Sequence, residues 1–429
     1  MLSWPFPQIP ELPAPTDGER PTVRVHDSTT GMLVDPAPGS VARSFVCGVT
    51  PYDATHLGHA ATYVAFDLLH RAWTDAGKQV TYCSNVTDVD DPLLERADAT
   101  GVDWRDLARD QTALFGEDMT ALGVVPPAPW TGVVEYVEPI ARAVAQMLAD
   151  GTAYRVPVEP GAGGATPELG DVYADLTADP AFGTVSGLDE ATMAELFAER
   201  GGDPGREGKK SPLDPLLWRR ERAGEPAWDG GVLGTGRPGW HVECSVIARD
   251  GLGLPFDVQG GGADLLFPHH EMSVSHARML AGPDAAPTAH VHAGLVAYEG
   301  HKMSKSRGNL VLVSVLRREG VDPMAVRLGI LAHHYRAEWE WTDATLKTGE
   351  ARLDRWRAAV SGNGGPAADG LLAELRAALA DDLDAPRALA AVDAWAERSL
   401  APGRDTSKDE EGAPGVVARA VNALLGVRL

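Results

Sequence analysis

Residues 47–59 read Cys-Gly-Val-Thr-Pro-Tyr-Asp-Ala-Thr-His-Leu-Gly-His, and no other stretch restricts the possible folds so tightly. The apolar run from Ser44 to Val49 has the character of a short buried strand. Gly48, Pro51 and Asp53 break it, and a helix is expected from Gly58 onward. A strand passing into a helix over small residues aims backbone N–H groups and a positive dipole end at whatever binds there, which suits a phosphate. His56 and His59 flank Gly58 and can add two donors where a leaving phosphate gains charge. The simpler reading of the pair is capping or packing at a helix start. Cys47 stands at the end of the strand, where a ligand side chain would enter the same crevice.

The chain around this stretch reads as a doubly wound α/β sheet. Ala60 to Ala76 carries apolar residues at helical spacing and stops at Gly77, and Lys78 to Asn85 follows as a second strand. The expected organisation begins with an extended, proline-rich lead-in over residues 1–22. A Rossmann-like domain is then split into halves at 23–125, with an edge strand at Val23 to Asp27, and 231–310. An inserted subdomain occupies 126–230, and a helical linker with a helical bundle occupies 311–429. Residues 101–150 read as helical. Pro157, Pro160, Gly161, Gly163, Gly164 and Pro167 mark a loop-rich part of the insertion, and Glu199-Arg-Gly-Gly-Asp-Pro204 with the basic Arg206 to Lys210 a second punctuated loop, either a solvated turn or a flap. The sheet pattern resumes at Gly239 to Ser245. Phe256 to Val258 reads as a strand stopping at Gly260, Gly261 and Gly262, and His290 to Tyr298 as a further strand. Asn85 to Asp91 ends a strand in polar groups, where open parallel sheets bind ligands, but Asp88, Asp90, Asp91 and Glu95 are read as helix-capping and first-turn acids.

Composition limits the function classes. A chain of 429 residues exceeds one compact core, so two or three domains are expected. No apolar run of about 18 residues appears, and Met1-Leu-Ser-Trp-Pro-Phe-Pro7 lacks the basic and apolar regions of a signal peptide, so a cytoplasmic protein with no membrane partner is expected. Cys47, Cys83 and Cys244 are too few and too far apart for a disulfide framework. A net charge of −23 argues against a large nucleic-acid ligand, whose phosphates demand a basic face.

Two further groups bear on chemistry. Cys47, Cys244 and His269 fall at three separate strand-to-turn positions of the expected sheet, whose ends converge in space. Thiolate and imidazole are zinc ligands, and a three-ligand set leaves a tetrahedral position open. Inert buried thiols and a satisfied histidine are the plainer alternative. An open zinc can bind a small thiol where serine offers a poorer hydroxyl; Cys83, inside a strand, is read as core. Gly300-His-Lys-Met-Ser-Lys-Ser-Arg-Gly-Asn309 lies beyond a strand and between glycines, and Lys302 and Lys305 on such a loop can neutralise a triphosphate and then the leaving diphosphate.

His56-Leu-Gly-His59 with Lys302-Met-Ser-Lys-Ser306 resembles the signature pair of class I aminoacyl-tRNA synthetases. Val46-Cys-Gly-Val-Thr-Pro-Tyr-Asp53, Gly239-Trp-His-Val-Glu-Cys244 and Phe267-Pro-His-His-Glu271 look like cysteinyl-tRNA synthetase. Two departures point to a shortened relative. The synthetase's fourth zinc ligand, a glutamate four residues after the histidine, is Ser273 here, and the chain ends at Leu429, soon after the lysine loop. Ser3-Trp4, Thr50-Pro-Tyr-Asp-Ala-Thr-His-Leu-Gly-His-Ala-Ala-Thr62 and Glu199-Arg-Gly-Gly-Asp-Pro204 are similar to the cysteine ligases of mycothiol biosynthesis.

That resemblance implies an AMP-forming ligase that activates L-cysteine with ATP and joins it to the amine of 1D-myo-inosityl 2-amino-2-deoxy-α-D-glucopyranoside. It implies Zn2+ on Cys47, Cys244 and His269, with the substrate thiolate as fourth ligand, and Mg2+ with ATP. It implies that Cys47, Gly48, Val49, Thr50, Thr62, Asn85, Val86, Thr87, Trp240, Gly262, Ala263, Asp264 and Val296 surround the cysteinyl-adenylate, and that His56, His59, Lys302 and Lys305 stabilise charge on the phosphates. The partners expected are small molecules acting on a monomer, without nucleic acid. A truncated cysteinyl-tRNA synthetase and a synthetase-like binding module that has lost catalysis are the alternatives.

Overall fold

The structure is a computed structural model, and it describes residues 1, 3–15, 18–158, 170–303 and 308–429. Lys305 and the insertion's Pro160, Gly161, Gly163, Gly164 and Pro167 lie outside the described residues.

In chain order, a hairpin of β1 (Val25–Asp27) and β2 (Met32–Val34) precedes β3 (Val41–Val49), α1 (Leu57–Asp75) and β4 (Gln79–Val86). Next come α2 (Asp91–Thr100), α3 (Trp104–Leu122), β5 (Trp130–Gly132) and α4 (Val137–Asp150). The strands β6 (Ala153–Val156), β7 (Asp171–Ala174), β8 (Leu216–Arg220) and β9 (Gly236–Pro238) form an antiparallel sheet, with α5 (Glu190–Glu199) between β7 and β8. The chain returns through α6 (Trp240–Leu252), β10 (Val258–Gly262), α7 (Glu271–Ala281) and β11 (Ala289–Ala293). Beyond these lie β12 (Val296–Tyr298), β13 (His301–Lys302), α8 (Val313–Arg318), α9 (Pro323–Leu331) and β14 (Trp339–Glu340). The last segment holds α10 (Asp343–Ala359), β15 (Gly364–Gly365), α11 (Asp369–Ala380), α12 (Ala385–Leu400), β16 (Glu410–Glu411) and α13 (Ala413–Leu425).

The central sheet has five parallel strands in the order β11-β10-β3-β4-β5. From β3 the chain crosses by α1 to β4 on one side, and β10 pairs with β3 on the other. The carboxyl ends of β3 and β10 therefore form the switch point at which open parallel sheets bind ligands. The doubly wound α/β class expected from the sequence is the class observed.

Several elements differ from the sequence expectation, each for a physical reason. Val25–Asp27 pairs with Met32–Val34 in a hairpin and is no edge strand of the main sheet. Gly239 to Ser245 opens helix α6 and carries no strand: the apolar residues of this stretch, Val242, Val246 and Ile247, recur at helical spacing once the window is extended. β10 runs through the glycines where the sequence stops a strand at them. A Cβ at Gly260 would sit 2.3 Å from the Phe66 ring, so bare backbone lets α1 lie against the sheet. The helical reading of residues 101–150 holds for α3 and α4 but is broken by β5, which is the outer strand of the parallel sheet and falls within the segment 126–230. His290 to Tyr298 forms two short strands, β11 and β12. The capping reading of the acids after β4 holds for Asp90, which N-caps α2 through the Asp91 N–H, and for Asp91 in its first turn; Asp88 instead accepts from the distant Val134 N–H at 2.9 Å, beyond β5.

The C-terminal helices α10 to α13 form the expected bundle. Trp356, Leu375, Trp395 and Leu425 are buried in an apolar core continuous with Leu68, Leu69 and Trp73 of α1. A second core, including Phe45, Cys83, Ile140, Val144, Trp218 and Val246, joins the other face of the sheet to the insertion. No helix among the described residues is long and apolar enough to cross a membrane.

Candidate active site

The carboxyl ends of β3 and β10 open into a cleft of ≈ 550 Å³. Its floor is built by an irregularity in β3, where pairing with β4 shifts register between Val46 and Val49. Such a bulge re-aims side chains, and here it falls on Cys47 and Gly48. A Cβ at Gly48 would land 1.6 Å from the Asn85 carbonyl oxygen, so only glycine lets the two strands approach. Asn85 Oδ1 accepts from the Gly48 N–H at 2.9 Å, and its Nδ2 donates to Thr87 Oγ1 at 3.2 Å.

The H-x-G-H turn follows. His56 has extended backbone and caps α1 with its own ring: Nδ1 accepts from the N–H groups of Gly58 at 3.1 Å and His59 at 3.4 Å. An accepting Nδ1 puts the proton of the neutral ring on Nε2, where it is a donor. The His56 and His59 rings stack with centroids 3.8 Å apart. Gly58 is required between them, because a Cβ there would meet His56 Cε1 at 2.8 Å. Capping and anion binding are thus not alternatives here, since one ring ends the helix and lines the cleft.

Of the residues expected around a cysteinyl-adenylate, Cys47, Gly48, Val49, Thr50, Thr62, Trp240, Gly262, Asp264 and Val296 line this cleft, together with His56 and His59. Asn85 and Thr87 are buried one layer behind it, Val86 is wholly buried in the sheet, and Ala263 is exposed. Lys302 lies on β13 at the same end of the sheet as Met303, which also lines the cleft.

At the inner end, the ligating atoms of Cys47, Cys244 and His269 lie within 4.8 Å of one another, all buried. The expected convergence is observed, with two corrections. Cys244 sits in the second turn of α6, which presents it to the end of β3, and His269 sits in the helical turn Leu266–His270 that leads into α7; neither is at a strand end. His269 Nε2 is 3.2 Å from Cys244 Sγ. The Cys47 thiol opposite, together with burial, holds the Cys244 thiol well above its ordinary range. Burial, with His241 and His276 nearby, holds the His269 imidazole neutral. Two thiols beside an unprotonated imidazole make a donor set with no cation among them, which is compatible with zinc.

Sequence reasoning missed the groups that orient this set. His241 Nδ1 lies 3.0 Å from His269 Nδ1, and His270 Nε2 lies 3.2 Å from Cys47 Sγ. His270 Nδ1 in turn reaches His292 Nε2 at 2.8 Å. The spacing of His241 and Cys244, three apart on one helix, was the available signal; His292 comes from β11 and had none. Tyr63, Tyr52 and Asp53 also line the cleft.

Residues 34–351 match the family model described as "tRNA synthetases class I (C) catalytic domain". Among curated relatives, the L-cysteine:1D-myo-inositol 2-amino-2-deoxy-alpha-D-glucopyranoside ligase of Sanguibacter keddieii is 72% identical over 432 residues, covering 100% of both chains. The ligases of the same name from Cellulomonas flavigena and Streptomyces coelicolor are 65% and 58% identical over their full lengths. This chain belongs to that ligase family. Among solved structures, Mycobacterium tuberculosis methionyl-tRNA synthetase in complex with methionyl-adenylate matches with a TM-score of 0.62 at 17% identity, covering 90% of this chain and 92% of that one. The Agrobacterium radiobacter K84 agnB2 LeuRS in ternary complex matches with a TM-score of 0.62 at 14% identity, covering 91% and 84%. Those two likenesses establish the class I synthetase fold.

Within this ligase, the position four residues after His269 has a structural use. Ser273 Oγ donates to the His241 carbonyl at 3.2 Å, and the Ser273 carbonyl accepts from Ser245 Oγ at 2.8 Å. The residue ties α7 to α6 instead of extending toward the cysteines.

Proposed function

We propose that this chain activates L-cysteine with ATP as cysteinyl-adenylate and passes the cysteinyl group to the amine of 1D-myo-inosityl 2-amino-2-deoxy-α-D-glucopyranoside. The carrying observation is full-length identity of 72% to a ligase of that name, over a cleft that pairs an H-x-G-H helix start with a buried Cys/Cys/His cluster. In the first step a cysteine carboxylate oxygen bonds to the α-phosphorus of ATP as the bond to diphosphate breaks. In the second the acceptor amine bonds to the acyl carbon, the bond to AMP breaks, and the amine loses a proton.

The chain's own residues supply binding, orientation and charge. The amino end of α1 and the His56 and His59 rings take the phosphates, and Lys302 and Lys305 neutralise charge as diphosphate leaves. Asp264 and Trp240 line the side of the cleft where the cysteine amine and adenylate are held. Holding the acceptor amine beside a mixed anhydride removes much of the entropic barrier to amide formation. Cys47, Cys244 and His269 would hold zinc, which supplies when bound a fourth position that a cysteine thiolate fills well and a serine hydroxyl poorly. Mg2+ accompanies ATP, and the partners are small molecules acting on a cytoplasmic monomer.

The test is AMP release with ATP and cysteine, the amino sugar and bulk tRNA being supplied in separate reactions and the products weighed. An amide-linked cysteine on the sugar is the expected product; cysteine on tRNA with none on the sugar would return the chain to the synthetases.

A further inference from the structure

Glu199-Arg-Gly-Gly-Asp-Pro204 ends α5 and takes no part in the steps above. Its backbone is tightly specified. The Arg200 N–H closes the helix on the Leu196 carbonyl, Gly201 turns with a φ of +87°, and the Gly202 N–H reaches back to the Phe197 carbonyl at 2.8 Å. Gly202 lies so close to Phe197 that a Cβ would strike its ring at 2.5 Å. Beyond the turn, the Asp203 carboxylate accepts from the Tyr173 hydroxyl and, at 2.9 Å, from Lys209 Nζ. The Arg200 side chain therefore leaves a turn fixed on both sides.

It reaches into the catalytic domain. Arg200 Nη1 donates to the Asp264 carbonyl at 2.6 Å and to the Phe267 carbonyl at 2.5 Å. Between and beside these carbonyls runs the segment that carries Asp264 to the cleft and His269 to the cysteines. Phe267 is extended (φ −136°, ψ 137°) inside an otherwise helical turn, and Arg200 takes the carbonyl that this departure turns outward. The inserted subdomain holds the same segment twice more. Phe267 is buried in a cluster with Leu176, Met193 and Phe197, and the Glu271 carboxylate accepts from the N–H groups of Gly183 at 2.8 Å and Ser186 at 2.7 Å. Arg200 grips both the Asp264 backbone and the histidine segment.

We infer that Arg200 is a positioning residue for cysteine activation, setting the separation between Asp264 and His269 through one guanidinium nitrogen shared by two carbonyls. The inference rests on the cysteine-activating reading above. In cysteine the amine and the thiol are two carbons apart, so the anchors for each must keep a fixed distance. Misplacement by about 1 Å costs on the order of 100-fold in rate.

Full-length Arg200→Met and Arg200→Lys are compared with wild type by cysteine-dependent ATP–diphosphate exchange, by the visible spectrum after Co2+ loading, and by thermal midpoint. The Met variant is expected to raise KM for cysteine about tenfold or more and to alter the thiolate–cobalt band. Its KM for ATP and its midpoint stay near wild type, and the Lys variant, which keeps the charge and loses reach, is intermediate. Unchanged KM for cysteine with an unchanged cobalt spectrum overturns the inference. So does a parallel loss of midpoint, ATP binding and turnover in both variants, which marks a purely structural clamp. If wild type shows no cysteine-dependent exchange, the cysteine-activating reading fails, and the cobalt spectra still decide what Arg200 does to the Cys/Cys/His cluster.

Discussion

The His56 ring caps α1 and also lines the cleft, whereas the Cys47, Cys244 and His269 cluster is backed by other side chains, His241 touching His269 and His270 touching Cys47. A donor that coordinates through Nε2 must carry its proton on Nδ1, which faces His241 Nδ1 at 3.0 Å. Replacing one thiol removes a third of the donor set, and the remaining pair cannot close a tetrahedron around one substrate atom. Cys244→Ala is therefore expected to lose bound zinc and cysteine-dependent exchange together, as read by metal analysis and exchange on one preparation. Full exchange activity in a metal-free variant would sink the zinc assignment.

At the level of elements, the cleft depends on where α1 begins. Its first turn has no acidic residue to complement the dipole, and the cap is a histidine. The dipole end is therefore left without a complementing acid, while its first-turn N–H groups are taken by the His56 ring and the Val311 carbonyl. Gly58→Ala should push the His56 ring off the Gly58 and His59 N–H groups, because the new methyl occupies the ring's place. Loss of a cap costs about 1 kcal/mol, so a modest fall in urea midpoint is expected with a much larger fall in exchange rate. An activity close to wild type would show that the ring's position is not needed. The same scale explains the misjudged elements. Gly239 to Ser245 is too short a window to separate a helix from a strand, and the glycines of β10 signal a break until the Phe66 ring of α1 is seen against them.

Across the whole molecule, a buried ion cluster joins the catalytic sheet to the C-terminal helices. Asp67 of α1 pairs with Arg71 at 2.7 Å and with Arg327 of α9. Arg71 donates to the Asn422 carbonyl at 2.8 Å, and Arg327 to the Leu425 carbonyl at 2.7 Å and the Leu122 carbonyl at 3.0 Å. Arg327→Met would leave Asp67 half-compensated and two buried carbonyls without a donor. A loss of roughly 3–5 kcal/mol is expected in urea unfolding. Acid should also destabilise the metal-free protein. Burial pulls His241, His276 and His292 down to about 3, and His70 and His290 to about 4. The unfolded chain then binds more protons below the ordinary histidine value of about 6.5, so stability falls with pH by about 1.4 kcal/mol per unit for each group. Burial also raises Asp88, Asp90 and Asp118 to about 6, which favours the folded chain as pH falls from about 6 toward 4. Burial likewise lowers His269, His270 and His333 and raises Glu243 and Asp257, so eight lowered histidines stand against five raised acids and predict a thermal midpoint that falls from pH 7 to pH 5. A midpoint that rises over that range would contradict this balance.

The sequence by itself determined the α/β class, the helix start at H-x-G-H and the choice of Cys47, Cys244 and His269 as a cluster that could hold a metal. Each of these depends on residue chemistry that can be read locally: a glycine beside a capping ring, a strand end before a turn, and thiol and imidazole side chains that favour zinc. The tertiary structure decided which groups stand behind the donors. His270 and His292 meet only because β10, with the turn after it, and β11 lie side by side, and Arg200 meets Asp264 only because the insertion folds back over the sheet. Contacts between segments far apart in the chain leave no periodicity in it, since the loops that bring them together are set by packing and not by local conformational preference.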